Sequence, residues 1–229
     1  MLSGPSPPPI RRQAWVIAAA VGAYGLSFGA SAVAAGLSLG QASALSLLTF
    51  TGASQFALVG VVGAGGSVFA GLAAAWLLGA RNLVYAVRLA PVLPTSPLRR
   101  LIAVQGVIDE TTAMATARDA DPRLARRAFL ETAVAVYIAW NLATVAGALL
   151  ASAVPDPRAF GLDATFPAAF LALLAPRLRG RLPWLCAGLG ALIAVALVPA
   201  APAGVPVLAA VLGVLPAVWS GRGATGELP

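Results

Sequence analysis

Apolar runs of helix length, separated by short polar or proline- and glycine-rich stretches, divide the chain into seven segments: roughly 14–37, 43–63, 67–90, 129–153, 162–176, 182–199 and 203–220. Runs of about 20 apolar residues without strict alternation predict membrane helices rather than barrel strands. The expected fold class is an all-α integral membrane protein, a polytopic helical bundle of about six to seven transmembrane segments. Turns are expected at Gly63–Gly66 and around Pro199–Pro202, where glycine and proline interrupt the pattern. A single transmembrane domain is expected over 14–220, between a proline-rich tail (1–13) and a C-terminal tail (221–229), with an amphipathic, cytoplasmic segment over 91–127. The apolar run after Arg11 and Arg12 is longer than a signal-peptide core and more membrane follows it, so it reads as a retained helix.

The polar positions inside this pattern carry the functional information. No charge occurs from Gln13 to Ala80, yet this run contains Phe50-Thr51-Gly52-Ala53-Ser54-Gln55-Phe56. An unsatisfied hydrogen-bonding group in hydrocarbon costs several kcal/mol, so something must satisfy these side chains. On a continuous helix Thr51, Ser54 and Gln55 share one face, and Gly52 weakens the helix there. Interhelical hydrogen bonds would suffice. Substrate contact at a broken helix is the alternative, and it makes a broken or re-entrant element near 49–56 part of the expected fold.

Arg81, Tyr85 and Arg88 form a stripe at the end of the third segment. Arg88 can snorkel to the interface. Arg81 lies about two turns deeper and needs a partner or water, which makes it a candidate for a substrate carboxylate. Asn82 either bridges helices or lines the same cavity. Residues 101–117 would form one amphipathic helix, with Leu101, Val104, Val107 and Ile108 opposite Gln105, Asp109, Thr112 and Thr116. It either lies along the bilayer surface or brings Asp109 or Glu110 to an aqueous cavity as an ion- or proton-coupling site. In the second half, Asp163 before Thr165 and Pro167 reads as a helix start, with Asp163 as its cap or, with Thr165, as a second-half site. Phe50 and Phe56 are echoed by Phe160 and Phe166, which raises a duplicated architecture. Asn141 reads as an interhelical hydrogen bond.

Composition agrees with the pattern: 59% of residues are hydrophobic and 10% charged, with a mean hydropathy of +0.88, against roughly 25% charged in soluble proteins. The net charge of +7 comes from fifteen basic residues, all arginine. Most lie between apolar runs, the signature of a cytoplasmic face rather than of a nucleic-acid partner. Pro91–Arg127, Arg177, Arg179, Arg181 and Arg222 should therefore share the cytoplasmic side. If Arg11 and Arg12 lie there too, three full crossings before Pro91 put the arginine-rich region on the wrong side. Three remedies stay open: segment 43–63 is broken or re-entrant, Leu101–Ala117 enters the membrane, or the N-terminus is outside.

Cys186 is the single cysteine and histidine is absent, which excludes an intrachain disulfide and a Cys/His metal site. No phosphate-binding loop, nucleotide fingerprint or catalytic arrangement is found, so neither an enzyme nor a cofactor is expected.

Phe50-Thr51-Gly52-Ala53-Ser54-Gln55-Phe56-Ala57, then Asn82-Leu83, Asp109-Glu110-Thr111 and Gly161-Leu162-Asp163 with Phe166-Pro167-Ala168-Ala169-Phe170, resemble in order and spacing the motifs of the AzlC family. The resemblance implies the large subunit of a bacterial branched-chain amino-acid exporter in the cytoplasmic (inner) membrane, working with a small hydrophobic AzlD-type subunit. Secondary active export is the mechanism expected, with a proton as one candidate coupling ion and a homo-oligomer left open. Export of another small metabolite, or a non-transporting assembly role, are the alternatives. The site residues expected are Thr51, Gly52, Ser54, Gln55, Arg81 and Asn82 for substrate, and Asp109 and Glu110 for coupling. One departure stands out: Val84 replaces the family's arginine after Asn-Leu, leaving Arg81 to meet the carboxylate or the specificity to differ.

Overall fold

A computed structural model describes residues 9–153, 171, 174–175, 178–202 and 204–220. Among these the structure is helical and contains no strand. Its helices are α1 (Ile10–Ala34), α2 (Leu39–Thr49), α3 (Ala53–Gly63), α4 (Val68–Gly79), α5 (Arg81–Leu89), α6 (Pro97–Val104), α7 (Asp109–Thr116), α8 (Pro122–Ser152) and α9 (Arg181–Leu197). The short helices α10 (Val205–Ala209) and α11 (Leu215–Trp219) follow, joined by a 3-10 turn. Local chemistry sets several of the starts. Ser38 and Gln41 form a reciprocal capping box on α2, and Ser67 caps α4. Asp121 caps α8 just before Pro122.

Three helices are long and apolar enough to cross a membrane: Ile10–Ala34, Pro122–Ser152, and α4 with α5 as one rod over Val68–Leu89. The expected six to seven spans are thus represented by three full-length helices among the described residues, with Ala53–Gly63, Arg181–Leu197 and Val205–Trp219 as shorter apolar stretches. Segment 162–176 falls largely outside the described residues.

Helices α1 and α8 pack side by side and run in the same direction. Gly22 meets Ala139, Gly25 meets Trp140 and Ala143, and Gly29 meets Thr144 and Ala148, so position rises together along both. Glycine permits this approach: a Cβ on Gly29 would collide with the Thr144 carbonyl, and one on Gly147 with that of Leu26. Near their starts, Arg118 donates to Gln13 Oε1 at 2.7 Å.

Between these two helices the chain makes two half-length hairpins around the α4–α5 rod. Helix α2 sets out from the far end of α1 and brings Ser46 and Leu47 opposite Asn141 and Tyr137, in the middle of α8. There it stops. After Phe50–Gly52 the chain turns, and α3 returns until Gly63 lies against Ala35 at the end of α1. The α4–α5 rod then runs past it, with Gly71 against Leu58 and Gly79 against Ser54, to the end where Arg88 pairs with Asp119. Helix α6 turns inward from that end, Gln105 reaches the tip of the first hairpin, and α7 goes back out.

Two expectations are corrected here. Segment 43–63 takes the broken form of its two readings, so Thr51, which lies in the break, does not share a helical face with Ser54 and Gln55. Residues 101–117 are likewise two helices, separated over 105–108. The second break is held by Thr111, whose hydroxyl donates its one proton to Gly106 O at 2.6 Å, with Ile108 O a longer shared acceptor at 3.0 Å, and accepts from the Ile108 N–H. Each hairpin leaves and returns to the same end, so the first acts as the re-entrant element of the first remedy, while the second enters the layer without changing the side on which the chain emerges. Arg11, Arg12, Arg99, Arg100, Arg118, Arg123, Arg126 and Arg127 consequently gather at one end of the molecule, the distribution the positive-inside rule requires.

Candidate functional site at the meeting of two hairpins

The tips of the two hairpins meet in the middle of the helix layer. A helix that ends inside an apolar layer must have its free main-chain groups satisfied by something other than water. Side chains do this for α2. Gln105 Nε2 donates to the carbonyls of Leu47 and Leu48 at 3.2 and 2.9 Å. The Tyr137 hydroxyl donates to Leu47 O at 3.1 Å.

Gln55 braces both sides of the break. Its Nε2 donates to Leu45 O at 2.9 Å, and its Oε1 accepts from the Gly52 N–H at 3.1 Å. It is 1% exposed. Gly52 itself has φ +62°, in the region that disfavours any side chain, so the turn requires glycine. Gln55 therefore holds the shape of the break, and its amide is already engaged on both faces.

Beside the break lies a cavity of about 210 Å³, below the roughly 300–1,000 Å³ of drug-sized sites. The first hairpin contributes 50–53, the second Ile108, Asp109 and Glu110, and the rod Leu78, Arg81 and Asn82. Val21 and Tyr24 of α1, Phe56 of α3, and Val136 and Trp140 of α8 form much of the apolar wall. Phe28, behind this wall, meets Phe56 edge-on and stacks on Trp140, with ring centroids 5.4 and 5.9 Å apart. That packing fixes the wall.

The polar groups around the cavity are arranged by charge. Arg81 Nη1 pairs with Asp109 Oδ2 at 2.8 Å, each side chain about a quarter to a third exposed. The Ala53 and Ser54 N–H groups stand in the first turn of α3, where helix geometry provides no internal acceptor. That terminus carries no acidic residue, whereas α7 begins with Asp109 and Glu110. The positive end of α3 is thus left uncompensated by its own sequence, while that of α7 is answered by two carboxylates.

Four buried polar atoms on residues lining the cavity have no hydrogen-bond partner among the described residues: Thr51 Oγ1, Arg81 Nε, Asn82 Oδ1 and Trp140 Nε1. Ser54 Oγ is a fifth unpartnered atom. Ser54 lines a second cavity of about 500 Å³ that also touches Phe50, Thr51, Gln55 and Asn82. Buried polar groups are normally bonded, so such a concentration calls for a ligand or ordered water.

The structure therefore brings Thr51, Gly52, Arg81, Asn82, Asp109 and Glu110 to one cavity and places Ser54 and Gln55 just behind it. Asp163, Thr165, and Phe160 and Phe166 of the proposed echo lie outside the described residues. Asn141 is bonded between helices as expected: it accepts from Ser46 at 2.7 Å and donates to the Tyr137 carbonyl. Sequence reasoning missed Tyr24 and Trp140, which stand in apolar runs as ordinary core aromatics, and the capping roles of Gln105 and Tyr137. The only available signal was Gln105 on the polar face of 101–117.

The family model described as AzlC protein matches residues 16–154, more than half of the chain, from within α1 to just past the end of α8. The chain belongs to the AzlC family. That family is associated with branched-chain amino-acid transport, in keeping with a helical membrane protein rather than with catalysis. No curated protein and no solved structure matches the chain. Within this AzlC chain, Val84 is 68% exposed and does not line the cavity, which Arg81 faces instead.

Proposed function

We propose that this AzlC-family chain is the large subunit of a secondary active exporter for branched-chain or similar small aliphatic amino acids, and that the cavity between the hairpin tips is its substrate site. The observation that carries this reading is the convergence of unpartnered polar atoms, the Arg81–Asp109 pair and the α3 N-terminus on a small cavity with apolar walls. Arg81 and the α3 N-terminus attract a carboxylate. Val21, Phe56, Leu78, Val136 and Trp140 accept an aliphatic side chain. Gln55 acts through the backbone it holds and does not touch the substrate.

The arginine-rich end faces the cytoplasm of a bacterial inner membrane, which gives three full crossings over residues 10–152 with two re-entrant hairpins between them. Asp109 or Glu110 carries the coupling, with a proton as the candidate ion, and a small AzlD-type subunit is the partner. Efflux of labelled leucine and valine from loaded vesicles, with and without that subunit, tests the activity. Saturable, competable efflux is expected. Its absence under both conditions, together with no leucine binding, would reject the reading. Cysteines placed at Gly40 and Gly65 should label from the outside and one at Thr95 from the inside; labelling of all three from one side would reject the topology.

A further inference from the structure

The Arg81–Asp109 ion pair lies between the α4–α5 rod and the tip of the second hairpin and lines the cavity. Its two ends belong to different elements, so it is a closed contact across the site rather than a brace within one helix. We infer that this pair is split by the substrate, and that the site thereby selects zwitterions over singly charged compounds of the same carbon skeleton. The inference rests on the proposed amino-acid site and deepens it.

The reasoning is one of charge balance. With the cavity empty of solute, Arg81 and Asp109 neutralise each other. A zwitterion can place its carboxylate on Arg81, beside the α3 N-terminus, and its ammonium on Asp109, so that one ion pair becomes two and no charge is stranded. A keto acid of the same skeleton that displaces Asp109 from Arg81 supplies no ammonium to take the place of that cation. An amine that displaces Arg81 from Asp109 supplies no carboxylate to take the place of that anion. Asp109 and Glu110 both begin α7 and line the cavity, and the α3 N-terminus and Arg81 are the positive groups opposite them. Splitting a partly buried ion pair without forming a second one in exchange is the penalty both singly charged analogues meet.

The test is equilibrium binding to the purified full-length chain in lipid nanodiscs, by calorimetry, with leucine, its keto-acid analogue and isopentylamine. Wild type should bind leucine at least about tenfold more tightly than either analogue. In Asp109→Asn leucine should weaken by about tenfold or more and the preference over the keto acid should disappear, while Asp109→Glu keeps it. The inference is overturned if wild type binds the keto acid as tightly as leucine, a comparison that needs no variant. It is equally overturned if folded Asp109→Asn keeps full discrimination. If wild type binds all three compounds alike at this cavity, the amino-acid site survives and the inference fails. If none binds, both fail.

Discussion

Helices α1 and α8 and the two hairpins between them are built from similarly apolar sequence and do opposite things with it. The α1–α8 pair is continuous, touches through glycine and alanine, and closes backbone against backbone. The hairpins stop halfway and leave helix ends that side chains must answer: Gln55, Gln105 and Tyr137 for the end of α2, and α7's own Thr111 for its start. Continuity stabilises the frame. Interruption creates the site, because only a broken helix can present uncompensated main-chain N–H groups to a cavity in an apolar layer.

This contrast can be broken at graded cost. Gly29→Leu should be the most damaging change, because the added side chain meets the Thr144 backbone rather than a flexible neighbour. A loss of more than about 3 kcal/mol is expected, read as loss of monodisperse protein on size exclusion. Arg81→Ala should leave that profile intact and reduce leucine binding by at least about tenfold, since it removes the positive side chain from the cavity. Normal leucine efflux by this variant would contradict the site. Gln55→Ala strips both partners from the break, leaving the Gly52 N–H and reducing the bonding of Leu45 O. A loss of about 2 kcal/mol is expected, visible as a lowered melting temperature with transport impaired in parallel. Arg88→Gln should do least. Its pair with Asp119 is about half exposed at the molecule's end, so stability should change by less than about 1 kcal/mol and efflux should not change.

The same contrast explains what the sequence made legible. The three long helices coincide with the apolar runs 14–37, 67–90 and 129–153, because a continuous span is written in hydropathy. The break at Phe50–Gly52 was visible as polar residues and a glycine in a charge-free run. Its reversal into a hairpin was one of the remedies the arginine count left open and not a reading of local composition, since a helix that turns back and one that continues have the same local composition. The second hairpin was harder still. Residues 101–117 have a good amphipathic period, and Thr111 and the contact of Gln105 with Leu47 and Leu48 override it through bonds that no local pattern encodes. Arg81 and Asp109 were each singled out, but their pairing across 28 positions depends on both hairpin geometry and the rod between. Trp140 and Tyr24 carried no distinguishing signal in sequence.

The side chain of Gln105 has a mechanical meaning as well as a chemical one. It grows from the tip of one hairpin and holds two main-chain carbonyls at the tip of the other. If the second hairpin withdraws by the length of one hydrogen bond, Leu48 O loses this donor and Leu47 O keeps only Tyr137, so the seam must take up water. The two hairpins are thus yoked: a working cycle must carry them together, or wet the seam between them at the moment they part.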